Sequence, residues 1–302
     1  MDRPTQSGPK GGTDTTAILY LAGAALIWGG HAVAGQLAVG QIQPLLLVFL
    51  RWAVVGSLLW VLHGKQVKEH WHAIRPRLLI TGLAATIGYT TFNSLFYFAS
   101  ERTTAVNVGI LQGTIPIFVL AGAAVFQKTR VCAIQIIGAG LAFAGLLLVA
   151  SRGQPMSLLT VGLNTGDALM LVACGCYAIY TLSLKNRPSV PGSVFFTVMA
   201  LFAAASAVPF AVVEMATVGT AMPSLKGWLV LLFVAIFPSY LGQLFYLWGV
   251  DRVGPGRAGM YVNLVPVFAA LLAVLILGEP FYWYHLAALV LVVFGIGLVQ
   301  RQ

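Results

Sequence analysis

The chain has 302 residues, 59% of them hydrophobic and only 8% charged, with a formal net charge of +9. A soluble domain carries roughly 25% charged residues, so a water-facing surface over most of this chain is excluded and lipid must be its main solvent. The positive balance does not point to nucleic acid, because no Lys/Arg run, no basic-aromatic interleaving and no soluble domain accompanies it.

Residues 1–14, rich in Gly, Pro, Thr, Ser and Gln, are expected to form a short disordered tail. Ala32-Val33-Ala34 resembles a signal-cleavage site. The apolar run before it is nevertheless long enough to span and belongs to an internal repeat, so it is expected to remain in the mature protein. A span needs about 20 apolar residues. Ten such runs lie near 17–36, 44–63, 77–99, 104–126, 132–150, 166–184, 193–214, 226–249, 257–277 and 282–300. Strands of alternating polarity are absent from the sequence, which excludes a β-barrel.

Polar groups inside such runs are costly, and each is a candidate functional residue until packing explains it. Helix one carries Trp28 and His31, and Gly30-xxx-Ala34 permits a close helix contact. Helix two carries Arg51 about seven residues in, roughly 10 Å deep. It is expected to snorkel or pair structurally, with an aqueous cavity or a substrate carboxylate as the alternatives. Helix three places Tyr89, Asn93 and Phe96 on one face. Helix four carries Gln112 and Pro116; helix five has Gly140-xxx-Ala144. Helix six opens at Asp167, expected to be its N-cap, and adds Tyr177 and Tyr180. Helix eight carries Ser239, Gln243 and Tyr246, and helix nine Asn263 and Pro266.

Pro116 and Pro266 lie near mid-span and free the carbonyls of Gln112 and Val262, which makes them hinges or static kinks. Asn93 and Gln243 are read as amides that hydrogen-bond a substrate from opposite sides of a cavity, against a structural alternative of interhelical hydrogen bonds worth about 0.6 kcal/mol each. Trp28, Tyr89, Tyr177 and Tyr246 are read as an aromatic wall, with His31, Ser239, Gln112 and Asn263 as further polar contacts. No Asp or Glu falls at mid-membrane, so an acidic proton relay is not expected and the cavity should suit neutral or zwitterionic solutes. Cys132, Cys174 and Cys176 lack metal-ligand spacing and are read as packing residues. No cofactor is expected.

Orientation follows from Lys and Arg. With a cytoplasmic N-terminus, 13 fall on inside segments (Arg3, Lys10, Lys65, Lys68, Arg75, Arg77, Lys128, Arg130, Lys185, Arg187, Arg252, Arg257, Arg301) and 3 outside (Arg102, Arg152, Lys226). Both termini are therefore expected in the cytoplasm. A shift of 150 residues superposes the halves: Arg102 falls on Arg252, Gly109 on Gly259, Pro116 on Pro266, Phe118 on Phe268 and Gly145 on Gly295. Each half holds five helices, an odd number, so the second must enter the membrane upside down. Such inverted-topology repeats give a carrier two related states with a site between the halves.

The ordered motifs of both halves resemble one family. They include Ala25-Leu26-Ile27-Trp28-Gly29-Gly30, Leu50-Arg51-Trp52, Thr114-Ile115-Pro116-Ile117-Phe118, Gly166-Asp167-Ala168-Leu169 and Val265-Pro266-Val267-Phe268 … Leu277-Gly278-Glu279. Over essentially the whole chain after the tail, the sequence is similar to the drug/metabolite transporter superfamily, in its ten-helix EamA-type branch. The resemblance implies an all-α membrane protein with ten transmembrane helices in two inverted-topology five-helix repeats, residues 15–151 and 166–302, joined by a linker at 152–165. It also implies a multi-pass protein of the bacterial inner membrane that exports amino acids or other metabolites. The family's Gly-Glu after the fourth helix is replaced here by Phe126-Gln127, whereas Gly278-Glu279 follows the ninth, so a role needing both glutamates is not expected.

The expected function is a secondary transporter of small neutral or zwitterionic metabolites, foremost amino acids, working by alternating access as an exporter. Export of drugs or other hydrophobic metabolites and a channel are the alternatives. An intramembrane enzyme is disfavoured: no His-Glu-x-x-His, Gly-x-Ser-x-Gly, paired membrane aspartates or nucleotide loop is present. The expected partners are a small-molecule substrate and the lipid bilayer, with the protein a monomer or homodimer.

Overall fold

The computed structural model describes residues 14–154, 163–219 and 221–300. The expected tail, apart from Asp14, and residues 155–162 of the expected linker lie outside this set. Among the described residues all regular structure is helical. The first half runs α1 (Thr15–Ala38), α2 (Pro44–Glu69), α3 (Leu78–Ala85), a π-helical turn (Thr86–Thr91) and α4 (Phe92–Ser100). It continues with α5 (Ala105–Gln112), α6 (Ile115–Gln127) and α7 (Ala133–Ala150). The second half repeats the order with α8 (Thr165–Ser183), α9 (Gly192–Val218), α10 (Leu225–Val234), a π-helical turn (Ala235–Leu241) and α11 (Gly242–Val253). α12 (Pro255–Val262), α13 (Val265–Leu272), a further π turn (Ala273–Leu277) and α14 (Trp283–Val299) complete it.

Among the described residues eight helical stretches are long and apolar enough to cross a membrane. Two of the ten expected runs fall short of that measure, for different reasons. Residues 78–100 are helical throughout, but Thr86, Gly88, Tyr89, Thr90, Thr91 and Asn93 dilute the middle of the run. α14 is apolar but has 17 residues, fewer than the about 20 that span the hydrocarbon unaided.

The halves pack reciprocally. α1 lies against α11 and α13 of the second half, and α8 lies against α4 and α6 of the first. α2 runs along α9, and α7 along α14. In the last pair Gly138 and Gly295 make the close approach: a Cβ on either would stand 2.5 Å from the other's carbonyl oxygen. Gly140, expected at a close contact, has nothing within 4 Å of where its Cβ would be. The helical phase of α7 turns Gly138 and Gly145 inward instead.

The spans that carry Pro116 and Pro266 break at the same place. The amides of Gly113 and Thr114 bond back three residues to Ile110 and Leu111, and those of Asn263 and Leu264 to Met260 and Tyr261. Pro116 and Pro266 then sit in the first turn of α6 and α13, where a missing N–H costs no helical bond. The expected hinges are thus tightened two-residue breaks, not bends within one continuous helix. The helix ends also correct the register of the repeat. Lys128 and Gly278 both adopt the left-handed region, at φ 53° and 65°, and the next amides, Thr129 and Glu279, reach Ala123 and Ala273. Thr129, rather than Gln127, therefore stands where Glu279 stands.

The two ends of the bundle differ. At the end bearing residues 38–44, 100–105 and 278–283, α5 packs on α13, and α1 packs on α4 and α5. The corresponding pairs at the opposite end, α12 with α6 and α8 with α11 and α12, lack comparable packing among the described residues. Side chains fasten the packed end further. Glu279 accepts from the amides of Ala105 and Val106 at 2.8 and 2.9 Å, and Glu214 from those of Leu45 and Leu46 at 3.1 and 2.9 Å. Each carboxylate thereby caps a helix start in the other half, where orphan N–H groups and the helix dipole favour an anion.

Candidate substrate site

The π turn that follows α3 in the first half and α10 in the second is where the two halves meet around polar groups. A π turn widens the helix by one residue and is frequent at functional sites. Here Thr86–Thr91 and Ala235–Leu241 occupy equivalent positions and project Tyr89 and Ser239 inward.

Arg51 lies at the centre of the polar contacts. It is 5% exposed: of the snorkelling or structural pairing expected first, it does not snorkel, and it is paired with interior side chains. Its Nε donates to Ser239 Oγ at 2.6 Å. One terminal nitrogen, Nη1, faces three acceptors: Asn93 Oδ1 at 2.6 Å, His31 Nε2 at 2.8 Å and Tyr97 Oη at 3.1 Å. A guanidinium only donates, so His31 Nε2 is the acceptor of that contact and the imidazole is the neutral Nδ1–H tautomer. His31 also stacks on Phe96, with ring centres 4.3 Å apart. Asn93 is fixed by its own amide, which donates to the Tyr89 carbonyl at 2.6 Å. The guanidinium carbon stands 5.2 Å from the centre of the Trp52 ring, within cation–π range.

A second cluster adjoins it and is aromatic. Trp52 stacks on Tyr89 at 4.6 Å and 9°. Tyr89 Oη meets Tyr180 Oη at 3.3 Å. Tyr177 packs between Phe92 and Tyr180, with ring centres 5.1 and 5.3 Å away. Gly88 makes this possible, because a Cβ there would stand 2.4 Å from Tyr180 Cβ.

The structure therefore brings His31, Asn93 and Ser239 together on Arg51, and Tyr89 and Tyr177 into the adjoining cluster. Trp28 and Tyr246 form a separate pair with ring centres 5.5 Å apart, and Trp28 Nε1 donates to the Pro238 carbonyl at 3.1 Å. Gln243 is half-buried on α11 and outside the hydrogen bonds to Arg51. Gln112 is the last residue of α5 and is outside the hydrogen bonds to Arg51. Asn263 pairs with Gln300 at 3.1 Å near the chain's end, so its amide is spoken for outside the core. Asp167 is not an N-cap: Asn164 caps α8, and Asp167 is buried against Thr103 Oγ1 at 2.5 Å. A recess of about 550 Å³ opens between α2, α3 and α9 among Trp60, Lys68, Trp71 and Phe202 and does not include the Arg51 cluster.

From the sequence, Arg51 is expected first to snorkel or pair structurally, and Tyr97 and Trp52 are not among the expected site residues. The available signal was the Leu50-Arg51-Trp52 triplet in an otherwise apolar helix, since an intramembrane cation needs an interior partner.

Comparison with known proteins agrees with this architecture. The family described as EamA-like transporter family matches residues 15–151 and again residues 164–301. The chain is 27% identical to the protein named "Uncharacterized transporter YetK" of Bacillus subtilis (strain 168), over 93% of this chain and 85% of that one. It is 25% identical to "Uncharacterized inner membrane transporter YedA" of Escherichia coli (strain K12), over 91% of this chain and 87% of the relative. A protein of known crystal structure superposes with a TM-score of 0.63 at 19% identity, covering 94% of this chain and 96% of the other, a likeness of fold.

Proposed function

The chain belongs to the EamA-like transporter family, and from that premise we propose that it is a secondary carrier exporting amino acids or similar small metabolites across a bacterial inner membrane by alternating access. In this reading the chain crosses the membrane ten times, with residues 78–100 and α14 as the two further spans. The two five-helix halves have inverted topology, and both termini are cytoplasmic.

The observation that carries the reading is reciprocal packing. The first helix of each half is seated in the other half, α1 on α11 and α13, α8 on α4 and α6. Such exchanged seating lets the halves rock about a shared centre, and the polar cluster lies at that centre. The packing difference between the ends supports a direction. The fastened end carries few basic loop residues, and the looser end carries Lys65, Lys68, Lys128, Lys185 and Arg187. By the loop-charge rule the looser end is cytoplasmic. A resting state sealed outside and receptive inside suits a carrier that loads from the cytoplasm.

The test is counterflow in liposomes reconstituted with the full-length protein. Saturable exchange of labelled amino acids is expected. No solute movement, or ion currents far above carrier turnover, would refute the carrier.

A further inference from the structure

We propose that Arg51 is the carboxylate-binding group of the transport site, so that the substrate class is small solutes bearing one carboxylate. The inference rests on the carrier reading above and narrows it.

Charge accounting comes first. Arg51 is the only buried Lys or Arg among the described residues. The ion pairs among those residues are Arg102 with Glu101 and Arg252 with Asp14, both at helix ends. The two buried carboxylates serve elsewhere: Asp167 bonds Thr103, and Glu214 caps α2. Every partner of Arg51 is neutral: Ser239, Asn93, His31 and Tyr97. A cation at this depth is expensive and in most membrane proteins has a countercharge or a water-filled cavity. Here a negative charge is missing.

Donor accounting points the same way. Nη1, with two N–H groups, is shared among three acceptors, while Nη2 makes no hydrogen bond among the described residues. Trp52 Nε1, on a ring 4% exposed, is also buried without a partner. Trp52 Nε1 is thus a buried donor without a partner, against the rule that buried donors are satisfied, and the adjoining Arg51 keeps Nη2 unbonded among the described residues. A planar carboxylate is the acceptor that a guanidinium fork recognises best. One cation without a second basic group suits a monoanionic group, and a phosphate dianion would lack its other half. The aromatic wall of Tyr89, Tyr177 and Tyr180 then faces the rest of the solute.

The experiment compares matched solutes on the purified full-length protein, by thermal stabilisation in detergent and by competition in counterflow. The solutes are alanine, leucine, propionate, isocaproate, propionamide, ethylamine and sodium chloride. Alanine, leucine or the two carboxylates should raise the melting temperature and compete, while propionamide, ethylamine and chloride should not. Arg51→Met should lower the apparent affinity for the carboxylates about tenfold or more. Arg51→Lys keeps the charge without the fork and should recover only part of it. Trp52→Phe removes a donor that has no partner, so the protein should fold as well as before while carboxylate affinity falls severalfold; this variant guards against a folding failure at Arg51.

Equal responses to propionate and propionamide, or to propionate and chloride, would overturn the proposal, as would unchanged carboxylate affinity in both Arg51→Met and Trp52→Phe. Amino-acid counterflow that survives Arg51→Met defeats this inference and leaves the carrier standing. Arg51-dependent stabilisation without any solute movement defeats the carrier and leaves the binding site.

Discussion

The two π turns that carry Tyr89 and Ser239 are the same device carrying different cargo. Thr86–Thr91 sets Tyr89 against Trp52 and Tyr180, whereas Ala235–Leu241 sets Ser239 against Arg51. One turn therefore ends in an aromatic stack and the other in a charged hydrogen-bond knot. Within the halves the contrast widens: the positions that hold His31, Arg51, Asn93 and Tyr97 in the first are Thr181, Leu201, Gln243 and Leu247 in the second. Duplication preserved the place where each helix opens, and divergence decided what chemistry stands in the opening.

The aromatic turn is the easier one to break. Gly88→Val would drive a side chain into Tyr180, and overpacking costs typically ~1–3 kcal/mol. The expected result is a large drop in melting temperature and in yield of folded protein by size exclusion. A variant that melts like the parent would show that Tyr180 has room to move. In the charged cluster, Asn93→Ala leaves the guanidinium short of one of its two nearest acceptors, both at 2.6 Å. Hydrogen bonds to charged groups contribute about 1.5–3 kcal/mol, so transport per folded protein should fall about tenfold. Ser239→Ala removes the acceptor of Arg51 Nε and should cost severalfold by the same assay, with Nη1 still anchored. Gln243→Ala, at the position matching Asn93, should change transport by no more than about twofold. Equal losses for Asn93→Ala and Gln243→Ala would erase the asymmetry on which the comparison stands.

Much of this frame is legible in the sequence because it is written in short-range terms. Apolar runs give helices, Pro116 and Pro266 mark the breaks, and the two family matches cover the halves that the 150-residue shift superposes. The clusters are less legible because their contacts are long-range. Nothing near Arg51 in the chain announces that Ser239, 188 positions away, will accept from it. Asn263 misled for the same reason, since its partner Gln300 belongs to another helix end. Asp167 looked like a cap because Asp favours that role, but Asn164 reaches the Gly166 amide first, at 2.7 Å. The π turns share no hydropathy signature: Thr86–Thr91 is a polar dip, whereas Ala235–Leu241 and Ala273–Leu277 are largely apolar.

The solitary state of Arg51 constrains ancestry as well as chemistry. A carrier assembled from two identical half-length chains would hold this guanidinium twice or not at all, since symmetry copies every residue. Two such cations near one axis would repel each other and ask for two anions per cycle. Joining the halves in a single gene lifts that arithmetic, and a stoichiometry of one becomes available. The Leu201 that stands where a second arginine would be is the mark of that freedom.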